Sequence, residues 1–122
     1  MKLHEQLPAR IHLVSRYSAG HVEIGGQQLT RPLIVAPALL HTVWIDTAGE
    51  LTPESLAPLW PQEPRIVLLG GTGFAPGPLK LLRRALATRQ AGLEIMDLGA
   101  ACRTYNVLAQ EERAVAALLF PA

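Results

Sequence analysis

Residues 65–97, "RIVLLGGTGFAPGPLKLLRRALATRQAGLEIMD", indicate the fold class of this chain. The stretch opens with four consecutive apolar residues followed by glycines, a pattern typical of a strand buried on both faces of a sheet. Leucines then recur at helical spacing over 76–92, where Gly92 stands at the position of a helix C-cap glycine. "LEIMD" (93–97) predicts the next strand. A strand, a helix and a strand in this order form a βαβ unit, so we expect two parallel strands.

The segments on both sides of this unit extend the predicted sheet. A second helix at about 100–110 and an apolar strand at 113–120 continue the unit to βαβαβ. Towards the N-terminus, a Gly25-Gly26 turn indicates a hairpin. The hairpin spans 19–30, and further strands are predicted at 10–17, 32–37 and 41–46. A short helix is predicted within 51–60. Thr52 would cap it, Pro53 would be its first residue, and Pro58 and Pro61 would keep it short. The fold class is α/β, with a mixed sheet that is parallel in its C-terminal half and antiparallel near its N-terminus.

Composition narrows the class of protein. The 122 residues fit one domain over 1–122, of which we expect 1–9 to be loosely ordered. A net charge of +1 and only two each of Trp, Tyr and Phe argue against nucleic-acid binding. Without an apolar stretch of about 18 residues we expect no membrane insertion. One cysteine and no secretory signal favour a soluble, cytoplasmic protein. The four histidines lack metal-ligand spacing, so we expect no metal, and we expect no cofactor.

The glycine-rich loop "LLGGTGFAPGP" (68–78) is the first candidate site. Glycines between a buried strand and a helix let backbone N–H groups approach a phosphate or carboxylate closely. The spacing, however, matches neither the GxxxxGK[ST] nor the GxGxxG pattern, and Pro76 and Pro78 each remove an N–H donor. We therefore favour a tight turn that needs positive φ, with an anion site as the alternative.

The second candidate is "MDLGAACRTYN" (96–106), which joins a predicted strand to a predicted helix. Asp97 either has a functional role, as a residue that orients a ligand or acts as a base, or caps the helix. Cys102 is either a thiolate favoured by the helix dipole and Arg103, or a small core residue. For Asp97 we favour the cap. For Cys102 we favour the core residue, because a nucleophile needs a base, and all four histidines lie in the N-terminal third, none of them near Cys102 in sequence. Asn106 is a poor helix former, which predicts a specific hydrogen bond to backbone.

Parallel strands would bring these two loops together. The carboxyl ends of the strands at 65–70 and 93–97 would lie at one edge of the sheet, where open α/β sheets bind ligands. A small anionic ligand would then bind in a crevice between the 70–77 and 97–103 loops. The crevice residues would be Gly70, Gly71, Thr72, Gly73, Asp97, Cys102, Arg103 and Asn106.

A basic face on the first predicted helix is the candidate partner surface. Lys80, Arg83 and Arg84 lie largely off the leucine stripe, and the helix carries no acidic residue. Such a face is most often simply solvated, but it would also suit contact with a protein partner.

Three stretches together resemble a known family: "GHVEIGG…RPLIVAP" (20–26 and 31–37), "LLGGTG" (68–73) and "LEIMDLGAACRTYNVLAQEERAVAALLF" (93–120). The chain is similar, from about residue 10 to 120, to the small α/β domain-of-unknown-function family that includes mitochondrial complex I assembly factor 3 and a vertebrate adipogenesis-associated protein. The resemblance implies a three-layer fold around a mixed five-stranded sheet and no established catalytic residues. We therefore expect a non-enzymatic interaction or assembly-accessory module with a protein partner, and ligand binding or catalysis in the crevice as the alternative.

Overall fold

The computed structural model describes residues 10–121, so the prediction about residues 1–9 lies outside the described part of the chain. Within it the chain forms eight strands and two α-helices. They are β1 (Val14–Ser18), β2 (His21–Ile24), β3 (Gln27–Leu29), β4 (Leu33–Ala36), β5 (Leu39–His41), β6 (Ile66–Gly70), α1 (Pro76–Ala87), β7 (Gly92–Met96), α2 (Leu98–Gln110) and β8 (Val115–Leu119). Two 3₁₀ segments, Ala48–Glu50 and Pro53–Gln62, lie between β5 and β6.

The main sheet has five strands in the order β5-β4-β8-β6-β7. β6 is parallel to both of its neighbours, β7 and β8, whereas β4 is antiparallel to β5 and β8. The predicted mixed sheet with a parallel βαβαβ half is therefore confirmed. All five residues of β8 are buried, as expected of a strand covered on both faces.

Two layers cover this sheet, one on each face. On the first face, Leu79, Leu82 and Leu86 of α1 and the leucines of the longer 3₁₀ segment pack with Val67 and Leu69 of β6. On the second face, Leu68 packs with α2 and with a separate three-stranded sheet of order β1-β2-β3. The three-layer architecture is confirmed. The predicted N-terminal hairpin is β2 and β3, which turn through Gly25 (φ 58°) and Gly26 (φ 82°).

The predicted strand at 41–46 is wrong. The chain turns earlier, because Pro37 and Ala38 form a two-residue connection that pairs Ala36 directly with Leu39. β5 consequently ends at His41, and the following residues leave the sheet; Val43 is 87% exposed.

Gly92 is not the C-cap of α1. Gln90 takes the left-handed conformation instead, with φ 61°, and the N–H of Ala91 bonds back to the carbonyl of Leu86. This is the Schellman ending, here without glycine. Gly92 is thereby available to begin β7.

Three further elements differ in their bounds. The predicted helix within 51–60 begins as expected, with the Thr52 side chain accepting from the N–H of Ser55, but it is 3₁₀ and runs through its prolines to Gln62. Proline lacks the N–H of an α-helical ladder, which favours the tighter form. The strand predicted at 10–17 begins only at Val14, which is buried while Ser15 is exposed, and α2 begins at Leu98 rather than near residue 100.

Candidate functional site

Gly70 ends β6 where the predicted crevice should open, and α2 packs directly against it. A Cβ added to Gly70 would lie 2.5 Å from the Cβ of Ala101 and 3.1 Å from Cδ2 of Leu119. The carboxyl end of β6 therefore meets the first turns of α2 in close contact, and the space between them is filled by side chains.

The glycine loop after β6 is a constrained turn. Gly71 has φ 146° and Gly73 has φ 83°, which are conformations that side-chain-bearing residues rarely adopt. Gly71 also faces Phe120 and Phe74, whose atoms would lie 3.0 and 3.2 Å from an added Cβ. These features support the interpretation of the loop as a turn.

Asp97 is the N-cap of α2. Its carboxylate accepts a hydrogen bond of 2.7 Å from the N–H of Ala100, as predicted. Arg103, one turn further on, lies on the exposed side of α2 and donates to the hydroxyl of Tyr17 at 2.5 Å. That hydrogen bond raises the pKa of the guanidinium.

Cys102 is fully buried, as predicted. Burial raises the pKa of its thiol from 9.0 to about 11, and the neighbouring charge of Arg103 opposes this effect only in part. The folded chain thus keeps the thiol proton at pH values where the unfolded chain releases it. This contribution to stability is fully present below pH 9 and is lost as the pH rises towards 11. At neutral pH the thiol is therefore a core group rather than a nucleophile.

Asn106 joins α2 to the small sheet. Its side-chain oxygen accepts from the N–H of Val14 at 2.9 Å and its amide nitrogen donates to the carbonyl of Val14 at 2.8 Å. The neighbouring Tyr105, which is buried, donates its hydroxyl to the carbonyl of His12 at 2.7 Å. The predicted hydrogen bond from Asn106 to backbone is confirmed, and it satisfies both backbone groups of Val14 in β1, a strand that has β2 as its one sheet neighbour among the described strands.

The structure thus separates the eight predicted crevice residues. Gly70 contacts α2, Gly71 and Gly73 shape a turn, and the four residues of α2 and its cap are engaged in capping, packing or contacts with the small sheet. Gly73 lines a small cavity of about 80 Å³, and Thr72 lines a separate one of about 270 Å³ together with Phe120. The other lining residues are Thr30, Arg31, Pro32, Asp46, Thr47 and Ala48.

We call this cavity the threonine cleft. It lies at the carboxyl ends of β6 and β8 rather than of β6 and β7. Arg31 and Asp46 form an ion pair at its rim. Sequence reasoning missed the cleft, because its walls come from loops around residues 30–32 and 46–48 whose proximity depends on the strand order. It also missed an exposed contact of 3.0 Å between Ser18 Oγ and His21 Nδ1, which closes the turn between β1 and β2.

The basic face of α1 is exposed as predicted. Lys80, Arg83 and Arg84 lie on one side of the helix, and within residues 10–121 none of them forms an ion pair. Arg83 donates to the carbonyl of Leu93 in β7 at 2.8 Å. Arg89, by contrast, lies 3.9 Å above the ring of Trp60 at the far end of the helix.

Comparisons with known proteins find relatives that match nearly the whole chain. The Bos taurus protein named NADH dehydrogenase (ubiquinone) 1 alpha subcomplex assembly factor 3 is 30% identical over 121 residues, which are 98% of this chain and 65% of the relative. The Homo sapiens protein of that name is 27% identical over 115 residues, 93% of this chain and 62% of the relative. The chain therefore spans just under two thirds of the length of these curated relatives. No helix within residues 10–121 is long and apolar enough to cross a membrane.

Solved structures agree with the fold. The solution structure of a Xanthomonas campestris protein is 30% identical, with a TM-score of 0.78 and coverage of 99% of this chain and 92% of that one. A Bordetella pertussis protein described as a Mth938-like domain, 24% identical, shares the fold with a TM-score of 0.72 and the same coverage. A family model described as a protein of unknown function, DUF498/DUF598, matches residues 14–120. Since this match extends over most of the chain, the chain belongs to the DUF498/DUF598 family.

Proposed function

We propose that this chain is a non-enzymatic protein-interaction module that acts as an accessory in the assembly of a larger complex. The observation that carries the proposal is the basic face of α1, on which three exposed cations lie together without ion-pair partners among the described residues. A surface of this kind is complementary to an acidic patch on another protein and speeds encounter with it.

The relatives support the accessory role. The matched Bos taurus and Homo sapiens proteins are named as assembly factors of NADH dehydrogenase. An assembly factor works through contacts with proteins, so the name agrees with a surface that is built for contact.

The positions of the chemistry-bearing residues also support a non-enzymatic role. Asp97 is engaged as a helix cap, and burial keeps the Cys102 thiol protonated at neutral pH. Asn106 is engaged by both backbone groups of Val14. A nucleophile needs an open approach as well as an activating base, and Cys102, which is fully buried, lacks that approach.

The experiment is affinity capture of the tagged chain from its own cells. We expect a partner at stoichiometric yield, and we expect the Lys80→Glu/Arg84→Glu variant to lose it, because like charges would then face an acidic partner. The Arg10→Glu/Arg113→Glu variant makes the same change in net charge elsewhere on the exposed surface and should keep the partner. Capture of nothing above background by wild type, or equal loss in both variants, would count against the proposal.

The threonine cleft favours a second candidate function, the binding of a small molecule. Its volume of about 270 Å³ is close to the lower end of the range for ligand sites, about 300–1,000 Å³. Asp46 already neutralises Arg31, so a polar uncharged ligand suits this cleft better than an anion. A thermal-shift screen of such compounds against wild type and Thr72→Val would separate this function from the first one.

A further inference from the structure

β7 is an edge of the main sheet, and its hydrogen-bonding groups alternate between two directions. The N–H of Gly92 bonds to the carbonyl of Arg65, and the carbonyl of Met96 accepts from the N–H of Gly71. Even-numbered residues of β7 therefore direct their backbone groups towards β6. In a strand the intervening residues point the other way, so the N–H and C=O groups of Leu93 and Ile95 face outward from the sheet.

One side chain already marks this outer edge. Arg83 of α1 donates to the outward carbonyl of Leu93. The bond places Arg83, one of the three cations of the basic face, at the unpaired edge. A charged side chain at such a position is a common protection against unwanted strand pairing.

The two faces of β7 differ in charge. Leu93 packs with the buried leucines of α1, so Ile95, two residues on, lies on the α1 face as well, and Ile95 is 38% exposed. Glu94 projects to the opposite face, towards the side covered by α2. A strand added beside β7 would alternate in the same way, with every second side chain near Lys80, Arg83 and Arg84 and the others on the side of Glu94.

We propose that the β7 edge accepts an extended segment of the partner protein in which alternate side chains are acidic. The inference rests on the proposed function and names the kind of partner segment that it would need. Backbone groups of the segment pair with Leu93 and Ile95, while its acidic side chains lie beside the α1 cations. Arg83 exchanges the Leu93 carbonyl for a carboxylate, which is the stronger acceptor.

A second copy of the chain fits this edge poorly. An antiparallel pair of β7 strands would place the two α1 helices on the same face of one continuous sheet. Lys80, Arg83 and Arg84 of both copies would then face each other, and like charges at an interface oppose association. Charge complementarity thus favours an acidic partner segment over self-pairing.

The test uses the whole chain and a synthetic peptide of four Glu-Val repeats. Controls are a peptide of the same composition with its glutamates in one block, and a peptide of four Lys-Val repeats. We expect the Glu-Val peptide to slow amide exchange of Leu93 and Ile95 at least about tenfold, with Gly92 and Glu94, already bonded to β6, unchanged. The control peptides should leave all four amides as they were.

A variant makes the test specific to the edge. Ile95→Pro removes one outward N–H without removing a bond to β6, and proline is tolerated at such edge positions. We expect it to weaken binding of the Glu-Val peptide at least about tenfold. The exchange measurement on wild type needs no variant, so a failure of Ile95→Pro to fold would leave the test intact.

The outcomes separate the inference from the proposed function. Binding without slower exchange at Leu93 and Ile95, or equal binding of the Lys-Val peptide, would overturn the edge inference. Concentration-dependent self-association that slows the same two amides would overturn it in favour of a second copy. A partner captured through Lys80 and Arg84 whose binding leaves the β7 edge unprotected would sustain the proposed function while refuting the inference.

Discussion

Replacing Gly70 by alanine should lower the free energy of unfolding by about 2–3 kcal/mol, the upper part of the range for overpacking a filled core. The cause is steric. The new Cβ would lie 2.5 Å from the Cβ of Ala101 and 3.1 Å from Leu119, so α2 must move away from β6. Denaturant unfolding of wild type and variant measures the difference.

Gly92→Ala is the matched control for this substitution. Gly92 is also a strand glycine, but an added Cβ there meets nothing within 4 Å, so we expect a change within about 0.5 kcal/mol. Combining Gly70→Ala with Ala101→Gly should recover part of the loss, because the obstructing methyl group is removed. Equal effects at Gly70 and Gly92 would show that α2 does not rest on β6 as described.

Replacing Asn106 by aspartate should cost about 2–3 kcal/mol at pH 7, the penalty for a buried carbonyl that loses its donor. The introduced carboxylate still accepts from the N–H of Val14 but can no longer donate to its carbonyl, which it instead repels. Gln110→Glu is the control, since it makes the same amide-to-acid change at an exposed position of α2. It should change stability by no more than about 0.5 kcal/mol.

The Asn106→Asp variant should also show a characteristic pH dependence. The protonated acid can donate to the Val14 carbonyl again, so the folded-state pKa of the new group lies above the ordinary value of about 3.9. A group of this kind stabilises the fold below its unfolded pKa, and that contribution is lost as the pH rises through the folded pKa. The stability gap to wild type should therefore narrow on acidification. A gap that stays constant between pH 7 and 4 would argue against the paired bonds to Val14.

Local patterns predicted the centre of this fold well. β6 and β8 could be predicted without knowing which strands lie beside them, because a continuous apolar run by itself indicates a strand that is buried on both faces. The leucine spacing of α1 and the cap at Asp97 are equally local signals. The prediction of a strand at 41–46 was wrong because the short connection at Pro37 and Ala38 sets where β5 begins, and the sequence of this connection is compatible with several strand pairings.

The candidate site was less predictable, because it depends on contacts between distant segments. Ala101 fills the space beside Gly70 because α2 approaches β6 closely, and the spacing of residues in the sequence does not reveal this approach. The threonine cleft joins loops around residues 30, 47 and 72, and the strand order that brings them together was not evident. The position of Arg83 beside an unpaired strand likewise depends on β7 being the edge strand of the sheet, which the sequence alone does not establish.

Docking on the basic face can be tested by zero-length crosslinking of the captured complex with a carbodiimide, which joins a lysine amine to a carboxylate in contact with it. The chain has two lysines, Lys2 and Lys80, and only Lys80 lies on α1. We predict a crosslink from Lys80 to an acidic residue of the partner, and its loss in Lys80→Arg, which keeps the charge and the complex but removes the reactive amine. A complex that crosslinks only through Lys2, or that leaves Lys80 as reactive as in the free chain, would contradict docking on the basic face.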